Sequence, residues 1–158
     1  MDEKKKKRTV LITPVGLSPG VLWTALQRVD PDFLLILCSP QSQSSLERFL
    51  GHSGSQMYEH RKFTVCRVED AFTGFQESYD ALKRALDVKL TAFDDWYDLE
   101  FVINLTGGTT CFQYTVERIG RELEAAGRKV RRVALIDRRP QEEQRKDPWV
   151  VGDIIELE

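Results

Sequence analysis

Residues 102–110 read VINLTGGTT, an apolar run that passes without a break into two glycines fenced by threonines. A short apolar run bounded by turn residues is the mark of a buried strand. The segment after the run has two readings. Thr106, Gly107, Gly108, Thr109 and Thr110 either turn the chain tightly into a helix, with Thr109 or Thr110 capping, or they hold an oxyanion. The neighbours of this strand decide the fold, and with it the choice.

Upstream lie three similar runs. TVLI (9–12) leads into TPVGLSPG (13–20), FLLILC (33–38) closes with SPQSQSS, and FTVCRV (63–68) ends at EDAFTGF. Downstream, VRRVALI (130–136) ends at DRRP. A last strand is expected within WVVGDIIEL (149–157), after RRPQEEQRKDP (138–148), which reads as a flexible charged loop.

The segments between these runs read as helices. Leu22, Leu26 and Val29 share one face of a helix starting near Gly20. Leu46, Phe49 and Leu50 give a second helix, broken at GHSGS (51–55). Phe75, Tyr79, Leu82 and Leu86 mark a third. TAFDDWYDLE (91–100) reads as a polar connection. Phe112, Val116, Ile119 and Leu123 stripe the helix after the glycines, which Gly127 stops.

Strands alternating with helices imply right-handed crossovers and a mainly parallel sheet covered on both faces. The expected fold is α/β, a three-layer Rossmann-like domain with about six strands. It spans residues 1–158 as one domain, with MDEKKKKR (1–8) as a charged tail, solvated or phosphate-seeking. In the strand order 3-2-1-4-5 the first and fourth strands are neighbours at the switch point, where ligands bind at the carboxyl edge. Residues 13–20 then face residues 106–110 across one crevice. Gly107 and Gly108 let backbone N–H groups approach phosphate oxygens, and the helix behind adds its positive end. Thr106, Thr109, Thr110 and Ser18 add hydroxyls.

The totals narrow the function further. The chain has 158 residues, 41% hydrophobic and 30% charged, with a formal net charge of −2. That balance supplies no general attraction to nucleic acid or membrane, so no duplex DNA is expected as a partner and anion binding must be local. No apolar run reaches the length of a membrane span. Cys38, Cys66 and Cys111 are odd in number, lack CxxC spacing and are preceded by no signal peptide, which fits a reduced cytoplasm. GxxxxGK[ST], GxGxxG and GxSxG are all absent, which argues against a Walker site, a dinucleotide cofactor and a hydrolase elbow. His52 and His60 read as solvated residues of a surface loop. Asp94, Asp95, Asp98 and Glu100 precede a strand, at the wrong edge of the sheet for a ligand. Neither a metal nor a cofactor is expected.

The strand running into TPVGLSPG, VEDAF after the third strand and NLTGGTT after the fourth together resemble the CARF domain, the CRISPR-associated Rossmann fold. The order of elements matches from Thr9 to the last strand, and NLTGGTT is the most specific part. The resemblance implies a homodimer that binds cyclic oligoadenylate, the messenger of type III CRISPR defence, across its two-fold axis. It also implies that Thr13, Gly16 and Ser18 line the ligand from the first loop, and Thr106, Gly107, Gly108, Thr109 and Thr110 from the fourth. Many such motifs carry Lys or Arg where this chain has Thr110. Arg138 or Arg139 is the expected substitute, unless both are ion-paired at the surface.

No effector segment is evident in the sequence, which favours a stand-alone ring nuclease, with cyclic tetra-adenylate the expected ring. Cleavage would be metal-independent, by ribose 2′-OH attack, with Ser18, Thr106 and Thr109 as candidate catalytic groups. Two alternatives stand beside it: a non-catalytic sensor acting through a partner, and an α/β enzyme acting on a small phosphometabolite. Trp23 is either a stacking surface for a base or part of the core. Gly107→Val is expected to block the phosphate site and leave the fold largely intact.

Overall fold

A computed structural model describes residues 4–60 and 62–158, with the side chains of 55–60 left aside. Chain order runs β1 (Lys6–Pro14), α1 (Gly20–Val29), β2 (Phe33–Cys38), a 3-10 turn (Pro40–Ser42) and α2 (Gln43–His60). It continues through β3 (Lys62–Arg67), α3 (Phe75–Phe93), β4 (Tyr97–Asn104), α4 (Thr110–Ala125), β5 (Lys129–Ile136), α5 (Gln141–Lys146) and β6 (Asp153–Leu157). The six strands form one sheet in the order β3-β2-β1-β4-β5-β6. All pairs are parallel except β5 with β6. The expected α/β three-layer architecture is the one found, with β1 and β4 adjacent at the switch point.

The period-2 geometry of strands sorts the apolar runs onto two faces. Val10, Ile12, Leu35, Leu37, Phe101 and Ile103 pack under α3 and α4, against Leu82, Leu86, Phe112, Val116, Ile119 and Leu123. Leu11, Leu34, Ile36, Val102, Val133 and Leu135 face the opposite way, toward Leu22, Leu26, Leu46 and Phe49 of α1 and α2. Double-sided burial explains why β2 is apolar at every position. Burial also pushes the Cys66 thiol up to about 11, so it sits in the core as an inert apolar residue. Among the described residues, no helix is long and apolar enough to cross a membrane.

Four boundaries differ from the sequence reading. Lys6–Arg8 are not tail but strand, because β1 runs past the start of β2 and pairs there with β4 alone, Lys6 opposite Tyr97 and Lys7 opposite Asp98. The 91–100 connection shrinks from both ends. Residues 91–93 close α3, where Phe93 stacks on Phe33 with ring centroids 4.5 Å apart, and residues 97–100 open β4 by pairing with residues 6–9 of β1. Within the charged loop, residues 141–146 form α5, and Arg139 anchors its ends through Asp137 and the Asp147 carbonyl. The last strand begins only at Asp153, after Gly152 donates to Thr24 Oγ1 and accepts from Arg28 Nε.

A further difference lies inside α2, which runs through Gly51 and Gly54 instead of breaking there. Tertiary packing of Leu46 and Phe49 outweighs the poor helix propensity of glycine. A Cβ at either glycine would meet nothing within 4 Å. Gly51→Ala with Gly54→Ala is therefore expected to raise stability by about 1–2 kcal/mol, a melting-point gain of about 2–8 °C. Thermal denaturation checks this, and an unchanged or lower Tm would contradict it. His52 accordingly belongs to a helix, where it stacks on Trp149 at 3.9 Å between centroids and meets Trp23 edge-on at 4.6 Å. His60 lies outside the described side chains.

Candidate ligand site at the switch point

The site begins with Asn104, the last residue of β4 and fully buried. Its amide Nδ2 donates to Thr13 Oγ1 at 2.8 Å and to the Thr106 carbonyl at 3.0 Å. Its Oδ1 accepts from the Thr106 N–H at 2.9 Å. One side chain thus fastens β1 to β4 and sets the first bend of the glycine loop. Thr106 Oγ1 accepts from the Leu135 N–H at 2.9 Å, tying the same bend to β5.

Beyond this bend the backbone enters the left-handed region twice, at Gly107 (φ 86°) and Gly108 (φ 72°). Only glycine adopts two such residues in succession without strain. Gln113 Nε2, one turn into α4, donates to the Gly107 carbonyl at 3.0 Å and so fixes the orientation of that peptide. Among the described residues, no acceptor meets the N–H groups of Gly107 and Gly108. Thr109 then caps α4, its Oγ1 accepting from the Phe112 N–H at 3.2 Å. Two glycines leading into the unpaired amides of a helix start make a positive, anion-receiving corner.

The loop after β1 closes against this corner. A Cβ on Gly16 would lie 2.7 Å from the Gly108 nitrogen, so the two loops touch backbone to backbone. The crevice expected between residues 13–20 and 106–110 is a cleft of about 380 Å³. Gly16, Ser18, Gly107, Gly108 and Thr109 line it, and Val15, Val21 and Phe112 make its walls largely apolar. Ser39, Gln41 and Ser42 close it from the β2 side, Ala71 and Phe72 from the β3 side.

The residues named from sequence divide accordingly. Gly16, Ser18, Gly107, Gly108 and Thr109 come together. Thr13 is fully buried, donating to the Pro14 carbonyl and accepting from Asn104, so its hydroxyl sits behind the cleft. Thr106 and Thr109 spend their hydroxyls on the scaffold: Thr109 Oγ1 also donates to the Ala71 carbonyl. Thr110 is exposed at the head of α4 and outside the cleft lining. Arg138 pairs with Asp153 at 3.1 Å and Arg139 with Asp137 at 2.8 Å, so both are ion-paired outside the cleft lining. Among the described residues, none that lines the cleft is ionisable. Trp23 is not a lining residue either; it packs on the core beneath α1.

Sequence reasoning missed Asn104, Gln113 and Phe72. A polar residue ending an apolar strand was the available signal for Asn104, whereas Gln113 and Phe72 become visible only through distance. Phe72 belongs to a turn built on Asp70, whose Oδ1 accepts from the N–H groups of Phe72 at 2.9 Å and Thr73 at 3.0 Å. The Thr73 hydroxyl donates to the same carboxylate, and together these bonds hold the Asp70 carboxyl below the usual carboxylate range. The acidic group that spans the end of α3 and the start of β4 has structural partners at the opposite edge. Asp94 pairs with Arg128, Asp98 with Lys129 and Glu100 with Arg131.

No protein-family model and no curated protein matches the sequence. Solved structures do match the fold. Csm6 of Enterococcus italicus bound to cyclic hexa-2′-fluoro-hexa-dAMP aligns over 98% of this chain at TM-score 0.67 and 12% identity. Can2 of Sulfobacillus thermosulfidooxidans in complex with cyclic tetra-adenylate aligns over 81% at 0.58 and 13%. A type III CRISPR defence DNA nuclease activated by cyclic oligoadenylate aligns over 85% at 0.56 and 17%. The chain spans 42%, 32% and 19% of those three chains, less than half of each.

Proposed function

We propose that this chain is a CARF domain acting as a homodimer that binds cyclic oligoadenylate in type III CRISPR antiviral signalling in the cytoplasm. Cyclic tetra-adenylate is the ring expected. The observation that carries the reading is the contact of Gly16 with Gly108, which joins two glycine loops into one anion-receiving cleft at the switch point. Structures of the same fold hold cyclic oligonucleotides, which favours this anion over a small phosphometabolite.

A ring with two-fold symmetry meets two identical clefts when two chains pair across its axis. Exposed apolar residues at the cleft and on α3 and α4 favour such pairing. Leu17 is 82% exposed, and Phe75 and Tyr114 meet edge to face at 5.5 Å on α3 and α4. Within each cleft, the Gly107 and Gly108 N–H groups and the Ser18 hydroxyl receive the phosphate. The apolar walls leave room for a base.

Cleavage at this site uses the ring's own nucleophile. The 2′-OH attacks the adjacent phosphorus, the bond to the 5′ oxygen breaks, and the products are a 2′,3′-cyclic phosphate and a 5′-OH. The chain's part is to hold the attacking hydroxyl in line and to stabilise charge on the phosphoryl oxygens. Ser18 is the hydroxyl suited to this, while Thr106 and Thr109 act by holding the loop. One observation favours a second reading, a sensor that leaves the ring intact: with no ionisable residue among the described residues lining the cleft, they offer no general acid–base help and turnover is slow at best.

Incubation with rings of three, four and six adenylates, then binding measurement and chromatography, tests both. The expected result is one ring per two chains, with linear adenylates bearing a 2′,3′-cyclic phosphate accumulating slowly. Tight binding of a ring that stays intact replaces the nuclease with the sensor. The absence of binding to any ring overturns the reading and leaves the phosphometabolite enzyme.

A further inference from the structure

We infer that Phe72 is the surface on which a base of the bound ring stacks, an inference that rests on the cleft being a cyclic oligoadenylate site. Phe72 is 65% exposed, yet it stands at the rim of the largely apolar cleft and lines it. Its backbone is pinned from both sides. Asp70 takes the N–H groups of Phe72 and Thr73, and the Asp70 carbonyl takes that of Gly74 at 3.0 Å. On the other side, the carbonyl of the fully buried Ala71 accepts the Thr109 hydroxyl.

That last bond matters most for function. It makes Phe72 the immediate neighbour of a residue hydrogen-bonded to the phosphate-receiving loop. A nucleotide whose phosphate sits on Gly107 and Gly108 therefore has an aromatic side chain rooted on a fixed backbone beside it. With only two side-chain torsions to order, phenylalanine loses little freedom when a base lands on it, and every base offers a π-face. Leu17 and Val21 also line the cleft, and they supply apolar contact to the base. Trp23, which the sequence offered as either a stacking surface or a core residue, is half-buried against the core with its ring edge-on to His52 and Trp149, outside the cleft lining.

The test uses Phe72→Ala, Phe72→Leu and Phe72→Trp in the full chain, with whichever ring of three, four or six adenylates the wild type binds best. Affinity is followed by calorimetry and self-association by sedimentation. Since one ring meets two copies of Phe72, both the alanine and the leucine variant are expected to lose at least about tenfold in affinity. Phe72→Trp is expected to stay within about threefold of wild type, and its added emission to be quenched as the ring binds. Wild-type affinity in Phe72→Ala overturns the stacking role while the wild-type measurement still upholds ring binding. Loss of self-association in Phe72→Ala makes the residue an interface contact and overturns it as well. If the wild type binds no ring, both readings fall together.

Discussion

Gly16→Ala is expected to abolish ring binding while the chain still folds. The new Cβ would lie 2.7 Å from the Gly108 nitrogen and 3.4 Å from its Cα, both backbone atoms that no rotamer change can move aside. The two loops must separate by several tenths of an ångström. That shift displaces the Gly108 N–H from the place proposed for the phosphate. A hydrogen bond to a charged group contributes about 1.5–3 kcal/mol. With the site met twice by a ring in the proposed dimer, affinity should fall by at least about 100-fold. The strain should cost about 1–3 kcal/mol of stability, or about 2–12 °C in Tm. Calorimetric titration with circular dichroism as a control for folding measures both. A folded Gly16→Ala chain with wild-type affinity removes the loop contact from the site.

Gly16 is a sharper probe than Gly107, the position that stood out in the sequence. At φ 86° a β-branched residue is strained whatever space surrounds it, so Gly107→Val disturbs the loop's own conformation. The expectation that this variant leaves the fold largely intact gives way to that strain. Gly16 has no positive φ, and its glycine is required by a neighbour rather than by its own backbone. Conformational demand and steric demand look identical in a sequence. They separate only when the partner atom is known.

The same limit explains what else could be read and what could not. The two-faced apolar runs and the αβ alternation are short-range patterns that give a parallel α/β sheet. That β1 lies beside β4 follows only from the common strand order 3-2-1-4-5, which is the order found. Thr109 and the left-handed glycines also come from local rules. Thr13 and Thr106 looked like ligand contacts because a threonine at a strand end is compatible with either role. Their bonds to Asn104 and to the Leu135 N–H come from other strands, and they turn both hydroxyls inward. The ion pair of Arg138 was hidden for a related reason. Its partner Asp153 lies across the antiparallel β5–β6 pair, a pairing that the charged loop between them hid.

Asn104→Ala should be among the most destabilising substitutions in the chain, and Asn104→Asp should identify why. Alanine removes three hydrogen bonds at once, one buried and two part-buried, and leaves the Thr106 N–H without its acceptor. The expected loss is about 2–4 kcal/mol in urea denaturation, with ring binding lost alongside because the glycine loop hangs from this residue. A loss under about 1 kcal/mol would show that β4 holds the loop without it. Aspartate keeps an oxygen for the Thr106 N–H but turns the other toward the Thr106 carbonyl, where it cannot donate while ionised. Burial raises the pKa of such a carboxyl in the folded state above its unfolded value. The folded chain then binds the extra proton more tightly, so the variant's stability is present at acidic pH and drains away as pH rises through and above the ordinary carboxylate range. Asn104→Ala has no titratable group there and should lose the same amount relative to wild type at every pH. If the two variants show parallel pH profiles, the side chain at 104 is not donating to the Thr106 carbonyl, and the loop's geometry must be set by the Thr106 hydroxyl on β5 instead.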